Sequence, residues 1–158
     1  MTHVLETGFE EMEIENPNGS PAIRGYNIIA GKLSQSNDGN TFLSRNPAWL
    51  EDTVGEFPLS TKEDVHEALR AARSAFPSWA ATPAPTRGQV IGNMGRLLME
   101  RKDDLVRLQA REIGKTMKEC GGEIQEAIDT CLFFQSEGRR LYGPVSYTHL
   151  TLPTNSNV

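Results

Sequence analysis

TMKECGGEIQEAIDTCLFFQSEGRR, residues 116–140, carries the longest regular pattern in the sequence. Its apolar positions recur every three or four residues, the period of one face of an α-helix. Gly121 and Gly122 interrupt the run and each lowers helix stability by about 1 kcal/mol. A glycine pair at this point indicates close packing against a neighbouring element. The pattern predicts one long helix with an apolar stripe, made of Met117, Cys120, Ile124, Ala127, Ile128, Cys131 and Phe134.

The two cysteines of the chain, Cys120 and Cys131, both lie in this predicted helix. At about 1.5 Å of rise per residue their backbones are about 16 Å apart, which is beyond the reach of a disulfide. Eleven residues is close to three full turns, so both thiols lie on one face. A reactive thiol needs a positive or basic neighbour, which the sequence does not show. We expect both to be buried core residues.

A first helix is predicted after residue 60. Ser60 and Glu63 have the spacing of a capping box, in which each side chain bonds the other residue's backbone amide. Pro77 is expected to end the helix, since proline lacks the amide hydrogen that a helix interior uses. Its apolar stripe comprises Val65, Ala68, Leu69, Ala72 and Phe76.

Two more helices are predicted between the first and the longest. Thr86 with Gln89 offers a second capping box. Asp103 or Asp104 can cap the third helix, and Gly114 is expected to end it, because glycine adopts a left-handed conformation at low cost.

The segment before the helices has the features of short strands. Residues 26–33 and 41–45 are apolar-containing runs separated by a turn with an Asp38-Gly39 step, which predicts a β-hairpin. Residues 53–58 alternate weakly and end in proline, which predicts an edge strand.

The ends of the chain differ from its middle. Residues 1–22 are rich in Glu, Asn, Pro and Gly without a period, and we expect a flexible acidic extension there. Residues 146–158, SYTHLTLPTNSNV, contain no Asp, Glu, Lys or Arg and resemble the translation of a sequencing-library adapter. Such a foreign segment is excluded from fold reasoning. The expected packed region is residues 23–145.

Composition excludes several classes of function. The net charge of -5 argues against nucleic-acid binding, which usually requires a basic face. We find no apolar run long enough for a secretory leader or a membrane span. Two cysteines are too few for a disulfide framework. These features predict a cytoplasmic protein without a nucleic-acid or membrane partner.

The sequence contains no assembled catalytic motif. Phosphate-binding patterns such as GxGxxG after a strand are absent, and Gly92 and Gly95 lie inside a helical pattern. His3 and His66 lack metal-ligand spacing, and Glu119 with Glu123 is typical of a solvated helix face. From the residues alone, the chain is an α+β piece in which a hairpin precedes four helices.

The order of the local patterns resembles the start of the aldehyde dehydrogenase superfamily, from about Gly25 to Gly143. No single match is specific, but their order and spacing together are. The matching stretches are residues 44–48, Val54-Gly55, residues 58–60, Ala71-Ala72, residues 75–79, Arg87, Glu100-Arg101-Lys102 with Leu105, residues 112–115 and Glu119, Glu123 and Asp129. Residues 122–129 and 137–143 are similar to enzymes that oxidise semialdehydes, of the 2-oxoglutarate or succinate semialdehyde type.

The resemblance implies an α/β protein of which this chain is an incomplete N-terminal part, the hairpin and helices of the cofactor-binding domain. The parent enzyme is expected to be a homo-oligomer that oxidises a small aldehyde with NAD or NADP. Its cofactor strands, nucleophilic cysteine, general-base glutamate and oxyanion-hole asparagine belong to the missing part. Neither Cys120 nor Cys131 matches the nucleophile motif, so we expect no catalytic or cofactor-binding residue in this chain and no activity from it alone.

The resemblance also implies two lesser roles, shared by four residues. Glu126 and Phe134 are candidates for the wall of the substrate tunnel, against the alternative that they are a solvated carboxylate and a core aromatic. Ser44 and Glu112 match positions near a structural monovalent cation.

Without the parent's central sheet the apolar stripes stay partly exposed, which predicts marginal stability.

Two alternatives remain open on sequence grounds. A small helical module could bind a partner helix through the stripe around Ile124 and Ile128. A small cysteine-dependent enzyme would need a thiol beside a base.

Overall fold

The computed structural model describes residues 10–12 and 16–140 of the chain. The strands of this part are β1 (Glu10–Met12), β2 (Ala22–Arg24), β3 (Asn27–Ile29), β4 (Lys32–Ser34), β5 (Thr41–Arg45) and β6 (Thr53–Pro58). The helices that follow them are α1 (Lys62–Ala81), α2 (Ala84–Glu100), α3 (Lys102–Ile113) and α4 (Met117–Glu137). The α+β composition expected from the sequence is confirmed. The segment 146–158 lies outside the described residues.

A four-stranded sheet in the order β1-β2-β6-β5 forms the base of the structure. The central pair, β2 and β6, is parallel, and both outer pairs are antiparallel. Ala22 of β2 and Val54 of β6 are fully buried. The prediction of an edge strand at residues 53–58 is therefore wrong. Pro58 is the last residue of β6, so its missing amide hydrogen leaves the preceding ladder intact.

The predicted hairpin is also different in the structure. Residues 26–33 fold back on themselves as β3 and β4, through a turn in which Ala30 and Gly31 have φ of 51° and 74°. Two successive positive φ values match the twist of a tight hairpin. β5 pairs with β6 instead of with β4. Alanine rarely adopts positive φ, which is why the earlier turn could not be predicted from local residue types.

Part of the predicted acidic extension belongs to the sheet. β1 pairs with β2, and the buried Asn16 bonds the backbone of Thr53 twice. Its Nδ2 donates to the Thr53 carbonyl at 2.9 Å, and its Oδ1 accepts from the Thr53 amide at 2.7 Å. Among the described residues of 1–22, then, the chain is fixed to β2 and β6, in contrast to the flexible extension that we expected.

The first helix begins one residue later and ends later than predicted. Thr61, not Ser60, is the N-cap, and its capping-box partner is Asp64, not Glu63. The helix continues through Pro77 to Ala81. Proline removes only one intrahelical hydrogen bond, and the exposed surface of α1 allows water to replace it.

The ends of the next two helices are only partly as expected. α2 starts at Ala84, with Pro83 as N-cap and no side-chain cap, so the predicted capping box at Thr86 is absent. α3 starts after Arg101, which places Asp103 and Asp104 in its first turn. Gly114 ends α3 with φ of 70°, as predicted. A capping box of Thr116 with Glu119 opens α4.

The closest helix packing is between α2 and α4, and it depends on three buried glycines of α2. A Cβ placed on Gly88 would lie 2.6 Å from the Gln135 carbonyl oxygen, and one on Gly95 would lie 2.8 Å from the Cys131 Cβ. A Cβ on Gly92 would lie closer still to the Gln135 side chain. A Cβ added at Gly121 or Gly122 would meet no atom of a neighbouring element within 4 Å, so the predicted close packing at that pair is wrong.

α1 stands apart from the rest of the fold and touches it mainly along β3. Its apolar stripe faces outward, with Leu69 62% and Phe76 66% exposed. Val90 and Leu97 of α2 are also about half exposed. Burial of such side chains is the main driving force of folding, so these surfaces are ones that a larger protein would cover. In the described part of the chain, no helix combines the length and apolarity that a membrane crossing requires.

Candidate functional site

One buried ion pair joins the sheet to the helices. Arg111 of α3 binds Asp52, the residue before β6, through two nitrogens, with Nη2 2.8 Å from Oδ1 and Nε 3.0 Å from Oδ2. The Arg111 guanidinium also donates to the carbonyls of Pro21 and Thr53 at 2.9 Å each. The Asp52 side chain has no solvent exposure, and that of Arg111 is 16% exposed. A bidentate pair with further hydrogen bonds fixes α3 against β2 and β6.

Hydrogen bonds from Arg111 lower the pKa of Asp52 below its ordinary value, and they outweigh the opposing effect of burial. Asn46 adds a bond from its Nδ2 to Asp52 Oδ2 at 3.1 Å. Asp52 therefore stays ionised at neutral pH and does not act as a proton donor. This pair could not be predicted from the sequence, because its members are 59 residues apart and neither has a distinctive sequence neighbourhood.

The proposed tunnel residues share one surface of α4. Glu126 and Phe134 both line a cavity of about 480 Å³, together with Phe133. The Phe133 and Phe134 rings are in edge contact at 5.3 Å and 87°. Phe134 is 56% exposed, so it is not the core aromatic of the alternative interpretation. The structure thus brings the two residues together on an open face with both acidic and aromatic character.

The two residues proposed for a cation lie on different elements. Ser44 is a half-buried residue of β5 opposite Gly55, and Glu112 is an exposed residue near the end of α3. In the ranges that the structure describes, no group of three His, Cys, Asp or Glu side chains is arranged to hold a metal. A monovalent cation at Ser44 and Glu112 stays a prediction.

Both cysteines are free and buried, as predicted. Cys120 has no solvent exposure, and Cys131 is 5% exposed where it faces Gly95. Ile128 on the same face is also fully buried. The interaction module proposed as an alternative needed the stripe around Ile124 and Ile128 to be open to a partner, but Ile128 is covered and Ile124 is half-buried.

The N-termini of α1 and α4 do not suit a dinucleotide pyrophosphate. Pyrophosphate binding at a helix N-terminus requires free backbone amides and space for an anion. At α1 and α4 one first-turn amide, that of Asp64 or Glu119, already bonds the hydroxyl of the capping residue, and the carboxylates of Asp64 and Glu119 occupy the same region. Hydrogen bonds from Thr61 and Thr116 respectively lower the pKa of each carboxyl group, which keeps it charged and repels a second anion.

The described residues thus form an α+β structure in which the buried Asp52–Arg111 ion pair joins sheet and helices, and α1 and α2 expose extensive apolar surfaces. The chain belongs to the aldehyde dehydrogenase family, whose model matches residues 34–157. That span includes residues 146–157, which we expected to be a foreign segment.

Similar proteins share sequence as well as fold with this chain. The chain is 36% identical over 126 residues to the succinate-semialdehyde dehydrogenase [NADP(+)] of Escherichia coli. That match covers 80% of this chain and 26% of that enzyme. The chain is 36% identical over 117 residues to the alpha-ketoglutarate semialdehyde dehydrogenase of Haloferax volcanii, over 74% of this chain and 24% of the relative. The chain therefore spans about a quarter of the length of these curated relatives.

Solved structures give the same result for the fold. An NADP-dependent enzyme of E. coli superposes with a TM-score of 0.72 at 35% identity, over 75% of this chain and 24% of that one. An NAD-dependent aldehyde dehydrogenase of Sinorhizobium meliloti superposes with a TM-score of 0.70 at 25% identity, over 72% of this chain and 23% of that one. The expected aldehyde dehydrogenase fold is confirmed for this part.

Proposed function

We propose that this chain is the N-terminal scaffold of an NAD(P)-dependent aldehyde dehydrogenase that oxidises a semialdehyde to a carboxylic acid. Family membership carries the proposal. The named semialdehyde dehydrogenases among its relatives support the substrate class. The outward apolar faces of α1 and α2 support the scaffold role, because they need further sequence to cover them.

NAD or NADP, when bound, accepts the hydride of the aldehyde. The capping carboxylates of Asp64 and Glu119 disfavour a pyrophosphate at α1 and α4, which supports a cofactor site in the rest of a longer enzyme. Within this chain the Asp52–Arg111 pair holds α3 on the sheet. α4 then presents Glu126 and Phe134 to the substrate tunnel. Ser44 and Glu112 are proposed to lie beside a structural monovalent cation.

We extend the proposal to the whole protein in three respects. Its substrate is a small-molecule aldehyde, it assembles as a homo-oligomer, and it works in the cytoplasm. The chain by itself is proposed to be inactive, because the nucleophile, general base and oxyanion donor of the family are outside it. Residues 146–158 are proposed to be foreign to the protein.

The direct test begins with the coding DNA, which should be read beyond the codon for Gly143. The complete protein is then purified and assayed for NADH and NADPH formation with succinate semialdehyde and 2-oxoglutarate semialdehyde, beside the 158-residue chain. Activity of the complete protein and none from the chain is expected. An inactive complete protein, or a chain that turns over aldehyde, would overturn the proposal.

The tunnel assignment has its own test in the complete enzyme. Glu126→Gln and Phe134→Ala should change KM for the aldehyde while KM for NAD(P) stays the same. Glu67→Gln, on the exposed surface of α1, is the matched control. Equal KM values in all three variants would remove Glu126 and Phe134 from the tunnel without affecting the family assignment.

A further inference from the structure

We propose that a basic cavity beside α3 binds a small dianion of the phosphate or dicarboxylate class. The cavity has a volume of about 360 Å³ and lies between α3, the start of α4, the loop at residues 18–20 and the turn at residues 46–48. This volume is at the lower end of the range for small-molecule sites, which suits a compact ligand. The polar side chains that line it are those of Asn18, Ser20, Asn46, Arg107, Arg111 and Lys115. No Asp or Glu is among the lining residues.

Three cations reach the cavity from one row. Arg107 and Arg111 are four residues apart on α3 and so share a face of that helix. Lys115 follows four residues later, immediately after Gly114 turns the chain out of the helix. Arginine and lysine at such spacing suit a ligand with two negative charges, since each can give a charge-assisted hydrogen bond to a different oxygen.

Arg111 is the fixed member of the row. Its bonds to Asp52 and to the carbonyls of Pro21 and Thr53 fix the guanidinium in the cavity wall. Asp52 binds it from the protein interior and does not line the cavity. Asp52 neutralises much of the Arg111 charge, so most of the attraction for an anion has to come from Arg107 and Lys115.

Exposed ion pairs hold Arg107 and Lys115. The side chains of Arg107 and its partner Asp104 are 63% and 81% exposed. Those of Lys115 and its partner Glu123 are 47% and 40% exposed. Pairs of this kind are weak in water, so a dianion in the cavity can compete for both cations. The Ser20 hydroxyl and the side-chain amides of Asn18 and Asn46 add neutral groups at the same wall.

The test is a titration of the full chain, isotopically labelled for backbone NMR, with inorganic phosphate and separately with succinate. Ionic strength is held constant with potassium chloride. Saturable shifts should concentrate at Ser20, Asn46 and Lys115. The double variant Arg107→Gln, Lys115→Met should weaken binding by about tenfold or more, because two charge-assisted hydrogen bonds are lost.

Lys118→Met is the matched control, because Lys118 is exposed on the first turn of α4 and does not line the cavity. Both altered cations are exposed, so circular dichroism should show all variants equally folded. Binding of either anion that is lost in the double variant and kept in Lys118→Met supports the proposal, and the preferred probe identifies the ligand class. Shifts that never saturate, shifts spread over all basic residues, or equal binding in the double variant and the control would overturn it.

Discussion

Replacing Gly88 by alanine tests the packing of α2 on α4. The new methyl group would lie 2.6 Å from the Gln135 carbonyl oxygen and 3.4 Å from its carbonyl carbon. Both atoms belong to the backbone of α4, so they cannot move aside as a side chain would. Forcing an extra carbon into a close-packed interface typically costs about 1–3 kcal/mol. The same change gains about 1 kcal/mol of helix propensity.

Gly121→Ala is a closely matched control. Gly121 is the fifth residue of α4, as Gly88 is of α2, but it has nothing within 4 Å of an added Cβ. Gly121→Ala should therefore raise the free energy of unfolding by about 1 kcal/mol through helix propensity, with no steric cost. We expect the free energies of unfolding of the two variants to differ by about 1–3 kcal/mol, with Gly88→Ala the less stable.

The measurement is urea unfolding of the full chain, followed by far-ultraviolet circular dichroism. Equal stabilisation by the two alanines would refute the packing argument, since it would mean that α2 and α4 do not approach at Gly88. Destabilisation by Gly121→Ala would refute the assignment of Gly121 to an open face.

Three further predictions concern buried groups, and a fourth concerns the exposed helices. Arg111→Met should lower the free energy of unfolding in urea by about 3–5 kcal/mol, because it leaves the Asp52 carboxylate buried without a partner. Adding Asp52→Asn should recover part of that loss. A double variant as unstable as Arg111→Met would argue against the pair. The pKa of the Asp52 carboxyl is lowered in the folded chain. The ionised carboxylate therefore stabilises the fold fully above the unfolded-state pKa of about 3.9, and this stabilisation is lost as the pH falls through the folded-state pKa. An unchanged urea midpoint between neutral pH and pH of about 3 would contradict this. Cys120 and Cys131 should react with a thiol reagent only after urea is added, and rapid reaction in native buffer would show that α4 is not covered. Thermal unfolding of the chain should be broad, because so much of α1 and α2 is unburied, and a sharp transition at high temperature would refute marginal stability.

The sequence by itself determined the helices and their number. The three- and four-residue period of apolar side chains predicted all four, and Gly114 as the end of α3 was confirmed, because both signals depend on neighbours along the chain. The burial of Cys120 and Cys131 followed from their shared face for the same reason. The family resemblance was also present in the order of short local patterns, and the comparison bore it out.

Only the tertiary structure decided which strands pair and which glycines pack. β6 is central because β2 lies beside it in parallel, and the two are linked by a chain path that no local pattern specifies. Gly121 and Gly122 are as conspicuous in the sequence as Gly88, yet α4 meets its neighbour on the other face. The Asp52–Arg111 pair likewise joins residues that are distant along the chain. Local propensity specifies elements, whereas pairing, close approach and buried charge depend on contacts made only when the whole chain has folded.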